Sequence, residues 1–309
     1  MKGYIFQRVI YMLVTLVLIA SATFFLMKIM PGTPLSNAEK LTAEQEAIIL
    51  DKYGLDEPIP VQYVTYMANV FTGDLGLSFQ FDGREVTGMI MQRIGPSAQL
   101  GLQAMIFGSI FGILLGILSA IRYNTIWDYG STFIAVIGKS IPSFVFAALL
   151  QYYVAVKLGW LPVAFWDGFQ YTILPTISMG VFVVAIAARF TRTEMLEVMG
   201  QEYITTARAK GVSGIGVVFK HGIRNALIPL ITIMGPLAIG LMTGSLVIER
   251  IFAIPGLGEQ FVRSITTNDY PVIMGTTLFY SFFLVLIILV VDILYGVIDP
   301  RIRLAGGKD

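Results

Sequence analysis

Few residues in this chain are equipped for chemistry. Its only histidine is His221, and it has no cysteine. A His-rich metal site, a thiolate zinc site, a cysteine nucleophile and a disulfide are all excluded. No G-x-x-x-x-G-K-[ST] loop is present to cradle the phosphates of ATP, and Gly306-Gly307-Lys308 at the tail has no helix after it. Neither G-x-S-x-G nor H-E-x-x-H occurs. What remains is a small set of charges in unusual places. Lys139 stands inside a long apolar run and Asp292 at the end of another. The polar stretch Gln201-Glu202-Tyr203-Ile204-Thr205-Thr206-Ala207-Arg208-Ala209-Lys210-Gly211 continues basic through Lys220, His221 and Arg224. Ionisable groups at membrane depth are costly and face a partner or a water-filled path. A basic helical segment between spans has two physical readings. One is docking in a groove on a partner, and the other is contact with anionic headgroups.

The elements that position these residues follow from composition. The chain has 309 residues, of which 56% are hydrophobic and 13% charged, against about 25% charged in soluble domains. That defines an integral membrane protein, and a net charge of +1 argues against nucleic acid as a partner. A span needs roughly 20 apolar residues as helix. Six runs of that order lie between Arg8 and Lys28, Arg93 and Arg122, Asp128 and Lys157 (interrupted by Lys139), Asp167 and Arg189, Arg224 and Glu249, and Asp269 and Asp292. Backbone groups in lipid must bond within their own segment, so these are helices. They lack the alternation of a barrel. The first run is too long for the core of a signal peptide and is expected to be retained.

Six spans place both termini on one side. That side holds Lys2, Arg8, Arg122, Arg189, Arg192, Arg208, Lys210, Lys220, Arg224, Arg301, Arg303 and Lys308. The short loops on the other side hold only Lys157, Arg250 and Arg263. The positive-inside rule puts the termini and the 201–211 segment in the cytoplasm. The expected organisation is an N-terminus and first span over 1–30, an external helical region over 31–95, and a core with five further spans over 96–309. A cytoplasmic loop runs from about 190 to 225.

Local signals divide the external region. Thr42-Ala43-Glu44-Gln45 reads as a capping box, and Gly54 ends the helix it starts. Val61, Val64, Ala68 and Phe71 fall at helical spacing up to Gly73. Such helices either cap the spans or form a receptor surface. Within the spans, Gly138-Lys139-Ser140-Ile141-Pro142 predicts a break, and Pro175, Pro229 and Pro236 predict kinks. Gly108, Gly112 and Gly116 predict close helix contacts. Lys139 lies about ten residues into its span, roughly 15 Å deep. Three arrangements satisfy it: a place with Ser140 on the wall of a translocation cavity, a pair with Asp292, or a stem that snorkels to the interface. Met195, Val198 and Met199 extend the fourth span inward as an apolar stripe. Gly211 allows a left-handed stop. An ion-coupled secondary carrier is the generic competitor, but it leaves the basic segment unexplained.

Several motifs together resemble the permease subunits of bacterial ABC importers, in the peptide and nickel branch. Tyr203 to Gly211 resembles that family's cytoplasmic EAA loop. Pro31-Gly32-Thr33-Pro34, Tyr53-Gly54-Leu55-Asp56, Gly73-Asp74-Leu75-Gly76-Leu77-Ser78, Glu249 to Gly258 and Asp299-Pro300-Arg301 agree with it. Thr205 stands where the family usually has glutamate, and Thr206 replaces the first alanine. The resemblance implies an all-α type I importer permease fold of about six transmembrane helices in a bacterial plasma membrane, and no enzymatic activity in this chain. It implies as partners a second homologous permease, two cytoplasmic ATPases that bind the ATP and Mg, an external binding protein, membrane lipid and a peptide substrate. Oligopeptides are the expected cargo, with dipeptides, nickel and glutathione as alternatives. It implies that Glu202, Tyr203, Thr206, Ala207, Arg208, Ala209, Lys210 and Gly211 couple to an ATPase, and that Gly73, Asp74, Gly76 and Ser78 meet the binding protein.

Overall fold

The computed structural model describes residues 2–29, 44, 48, 50–51, 53–81 and 83–298. Most of the expected capping box, Thr42, Ala43 and Gln45, lies outside them, as do Pro31 to Pro34, Asp299 to Arg301 and the side chain of Asp292. The elements are α1 (Lys2–Ile29), α2 (Ile59–Thr72), α3 (Val86–Ile121), α4 (Ile126–Ser140), α5 (Ser143–Leu150), α6 (Gln170–Met199), α7 (Glu202–Ala209), α8 (Arg224–Met242), α9 (Leu246–Ile251), α10 (Leu257–Thr266) and α11 (Tyr270–Ile298). Two π-helical turns, Gln151–Lys157 and Val217–Ile223, extend α5 and lead into α8. Among the described residues the one β feature is an isolated antiparallel bridge between Leu77 and Glu85.

Five segments are long and apolar enough to cross a membrane: Phe6–Ile29, Val86–Ile121, Gln170–Met199, Ile233–Ile251 and Tyr270–Val290. The bent pair Ile126–Ser140 and Ser143–Lys157, which meet at 102°, makes a sixth when taken as one span. The break falls where the sequence places it. Ile141 is extended at φ −83° and ψ 123°, as the residue before a proline must be to avoid its ring. Pro142 then opens α5. At Pro175, Pro229 and Pro236 the helices continue through the proline.

The chain divides into two units, one of Met1–Gly95 with Leu257–Asp309 and the other of Pro96–Gly256. In the second, α3 packs on α6 along a ladder of glycines. A Cβ added at Gly108 would stand 2.3 Å from Val183 Cβ, at Gly112 2.5 Å from Ala187 Cβ, and at Gly116 2.6 Å from the Ala188 carbonyl. Glycine at every fourth residue lets the two backbones approach, which is how helices gain dispersion energy where lipid removes the hydrophobic drive. Val183, Ala187, Leu230 and Met234 carry this core toward α8.

The segment after α9 folds around a buried acid. Glu249 is 0% exposed and accepts from Ser97 Oγ at 2.8 Å and from the Ser245 N–H at 3.2 Å. Gly256 closes over it, and a Cβ there would lie 2.3 Å from Glu249 Oε2. The Glu249-to-Gly258 motif thus encloses a carboxylate.

In the first unit, α2 leans on α1 through aromatic rings. Tyr63 and Tyr66 lie 5.4 and 5.5 Å from the Phe24 ring, and Ser21 Oγ and Tyr63 Oη share a 2.7 Å hydrogen bond. The stripe of Val61, Val64, Ala68 and Phe71 marks α2 correctly but stays exposed. The face that packs is the aromatic one. Gly54, at φ +61°, receives the helix-ending bonds: its N–H donates to Asp51 O at 3.0 Å, and that of Leu55 to Leu50 O at 2.8 Å.

Candidate coupling segment and membrane clefts

The 201–211 segment forms α7. Gln201 is extended and Glu202 supplies negative charge to the first turn, where the helix dipole favours it. Gly211, at φ +79°, ends the helix as expected. Its N–H donates to Arg208 O at 2.9 Å and that of Val212 to Ala207 O at 3.2 Å, the paired bonds of a left-handed helix stop.

One face of α7 is buried by the chain itself. Ile204 and Ala207 are 0% and 7% exposed and pack on Val217, with Val198, Met199 and Val212 alongside. Cover for this face thus comes from within the chain. It also takes the Ala207 side chain out of the contact surface: its methyl is part of the seat. The cover comes from the π turn, preceded by a short helical turn, Gly214–Gly216, that Ser213 caps by accepting from the Gly216 N–H at 3.2 Å. Glu202, Tyr203, Thr205, Thr206, Arg208, Ala209, Lys210 and Gly211 are exposed, and Tyr203 Oη accepts from Asn225 Nδ2 at 3.3 Å. Met195 on α6, fully buried, packs with Val218 and Ala226. The end of α6 and the start of α8 thus pack on the same turn that covers α7.

Above this seat a polar clamp joins three helices. Asp128, 2% exposed at the start of α4, accepts from Arg192 Nε at 2.7 Å and Nη2 at 3.0 Å. It also accepts from Ser119 Oγ on α3 and from the Asn124 N–H at 3.0 Å. The Arg192 guanidinium lies 5.4 Å from the Tyr123 ring. In the sequence, Asp128 only marks the edge of a span.

Lys139 ends α4 at the break and lines two clefts. One, of 590 Å³, lies between α3, α4 and α6 and includes Ser140 and Arg189. The other, of 440 Å³, includes Phe144, Phe146 and Phe182. Lys139 is exposed and makes no ion pair among the described residues.

In the segment after α2, Gly73 takes φ +82° and ends that helix, and Asp74 Oδ1 accepts from the Gly76 N–H at 2.8 Å. Gly73 and Asp74 are exposed and Gly76 half-buried. Ser78 corrects the expectation for this stretch. It is 0% exposed and donates inward to the Asp269 carboxylate, which also accepts from the Phe79 N–H at 3.1 Å. Burial pushes the Asp269 carboxyl up, and these hydrogen bonds oppose the shift. Ser78 is an internal brace, so its side chain belongs to no contact face.

Five helices long and apolar enough to cross a membrane, a bent pair broken at Ile141–Pro142 and a seated helix exposed after α6 define an integral membrane protein. The profile of the binding-protein-dependent transport system inner membrane component matches residues 112–304, and that of the N-terminal part of such components matches residues 1–100. The dipeptide transport system permease protein DppB of Lactococcus lactis subsp. cremoris is 48% identical over 98% of this chain and 100% of its own length. The oligopeptide transport system permease protein OppB of Haemophilus influenzae is 39% identical over 98% of this chain and 100% of its own. A solved structure of the MetNI methionine ABC transporter, in inward-facing conformations, superimposes with a TM-score of 0.52 at 19% identity, covering 69% of this chain and 97% of that one. That likeness concerns the fold. The chain belongs to the family of inner membrane components of binding-protein-dependent transport systems, the permease subunits of ABC importers.

Proposed function

We propose that this permease passes short peptides, and that ATP hydrolysis in partner subunits drives it through α7. Peptide is the class named for both the 48% and the 39% identical relatives. Oligopeptides and dipeptides are both within it, and choice of length belongs to the external binding protein. Two cytoplasmic ATPases hold ATP and Mg, a second homologous permease completes the pathway, and both termini are cytoplasmic. ATP-driven closure of the ATPases moves α7, and rigid packing carries the motion into the spans. On the outer face Gly73, Asp74 and Gly76 contribute to the surface that meets the binding protein.

The observation that carries this reading is the two-sidedness of α7. Its apolar face is seated on Val217, and a polar face from Glu202 to Gly211 is left open. In this naturally cysteine-free chain, Ala209→Cys should crosslink to a cysteine placed in the cleft of a partner ATPase. Ala207→Cys should not, because its side chain points into the seat. Equal crosslinking at both positions, or at neither, contradicts the assignment.

A further inference from the structure

The 590 Å³ cleft is lined on one side by Ser131, Thr132, Lys139 and Ser140 from α4 and on another by Arg189 and Arg192 from α6. No acidic side chain lines it. The nearest acid in the fold is Asp128, and its carboxylate is already taken by both guanidinium bonds of Arg192, by Ser119 and by the Asn124 N–H. Arg192 is therefore neutralised, while Lys139 and Arg189 make no ion pair among the described residues. The cleft is left with two uncompensated cations over a floor of hydroxyls. On the other side of Lys139, across the Ile141–Pro142 break, the 440 Å³ cleft is mostly apolar, with Phe144, Phe146, Met179 and Phe182. One ammonium thus stands where a cationic, hydroxyl-lined space meets an aromatic one.

We infer that this junction is a way-station for the carboxylate end of the peptide, held by Lys139 and Arg189, with the apolar cleft taking a neighbouring side chain. The inference rests on the peptide-importer reading above. A carboxylate accepts from a guanidinium and an ammonium at once, and such charge-assisted bonds are about twice as strong as neutral ones. A phospholipid headgroup offers the same anionic chemistry, but the depth of Lys139 favours the peptide there, Arg189 lying nearer the Asp128 end of the cleft. Lys139 lies about 16 Å along α4 from Asp128, inside a hydrocarbon core of about 30 Å, whereas phosphates lie outside that core. Lys139 and Arg189 bind cargo in this account, and Arg192 positions the wall.

The test uses the whole transporter, reconstituted with its ATPases and saturating loaded binding protein. The liposomes are either neutral phosphatidylcholine or phosphatidylcholine with anionic phosphatidylglycerol. The probes are alanyl-alanine and its C-terminal amide. Lys139→Gln and Arg189→Gln should each lower ATP-driven uptake of the free acid by about tenfold or more. Lys139→Arg should restore it, and uptake of the amide should change by less than about twofold. Equal loss for acid and amide, or uptake of the acid at the unaltered rate, overturns the site. So does a loss seen only with anionic lipid, which would give the cations to headgroups. If the unaltered transporter shows no ATP-driven peptide uptake, the importer reading fails with it. If it does transport but the variants match it, only the carboxylate site fails.

Discussion

Arg192→Ala is expected to lower the stability of the 96–256 unit by about 3 kcal/mol or more, the cost of breaking a buried ion pair from one side. The Asp128 carboxylate is 2% exposed and would lose its bonds at 2.7 and 3.0 Å, keeping only Ser119 and the Asn124 N–H. Arg192 itself is 29% exposed. Asp128→Asn should therefore cost less, about 1–2 kcal/mol, because the freed guanidinium can turn to water. The double variant Asp128→Asn with Arg192→Met should recover part of the loss, since no charge is stranded. Unfolding in detergent, followed for the three variants, measures this ordering. Arg192→Ala within about 0.5 kcal/mol of the unaltered protein, the range of an ordinary surface change, would mean that the clamp holds nothing.

Ala207→Asp should have the largest effect on transport. The methyl is 7% exposed among Ile204, Val217, Val198 and Met199, and no cation lies in that cluster. A lone carboxylate there costs several kcal/mol unless it escapes to water. It escapes by unseating α7. Transport should fall by about tenfold or more while the spans remain inserted. Trypsin should cut faster at Arg208 and Lys210, whose backbone is no longer held. Ile215→Asp, at a position 75% exposed on the next turn, should leave α7 seated and the cleavage rate unchanged. Ala207→Asp with normal transport would show that the seat is not how motion reaches α6 and α8.

The sequence made some features readable because lipid leaves the backbone few options. Apolar run length gave the spans, and Ile141–Pro142 gave the break, since a residue before proline avoids the helix. The spacing of Gly108, Gly112 and Gly116 pointed to the contact seen with Val183, Ala187 and Ala188. Gly211 ends α7 where a left-handed stop was expected.

Other features depend on residues far apart in the chain, and periodicity carries no trace of them. The cover over Ile204 and Ala207 comes from Val217, beyond the helix stop, on a π turn that has no sequence signature. Ser78 meets Asp269 across 191 positions. Ser97 meets Glu249 across 152, and nothing local tells a buried carboxylate there from an exposed one. Asp128 reads as the polar end of a span until folding brings Arg192 to it. The spacing of Val61, Val64, Ala68 and Phe71 marked α2 as a helix but not its packed face, which is that of Tyr63 and Tyr66, while Val64 and Phe71 remain 65% and 71% exposed.

We propose that this chain moves peptide only when partner ATPases act on α7. Uptake into liposomes by the assembled transporter, compared with the chain alone under an imposed proton or sodium gradient, tests this. Peptide accumulation should require ATP, the ATPases and loaded binding protein, and the chain alone should accumulate none under either gradient. Gradient-driven uptake by the isolated chain, without ATP, would contradict it and identify an ion-coupled carrier.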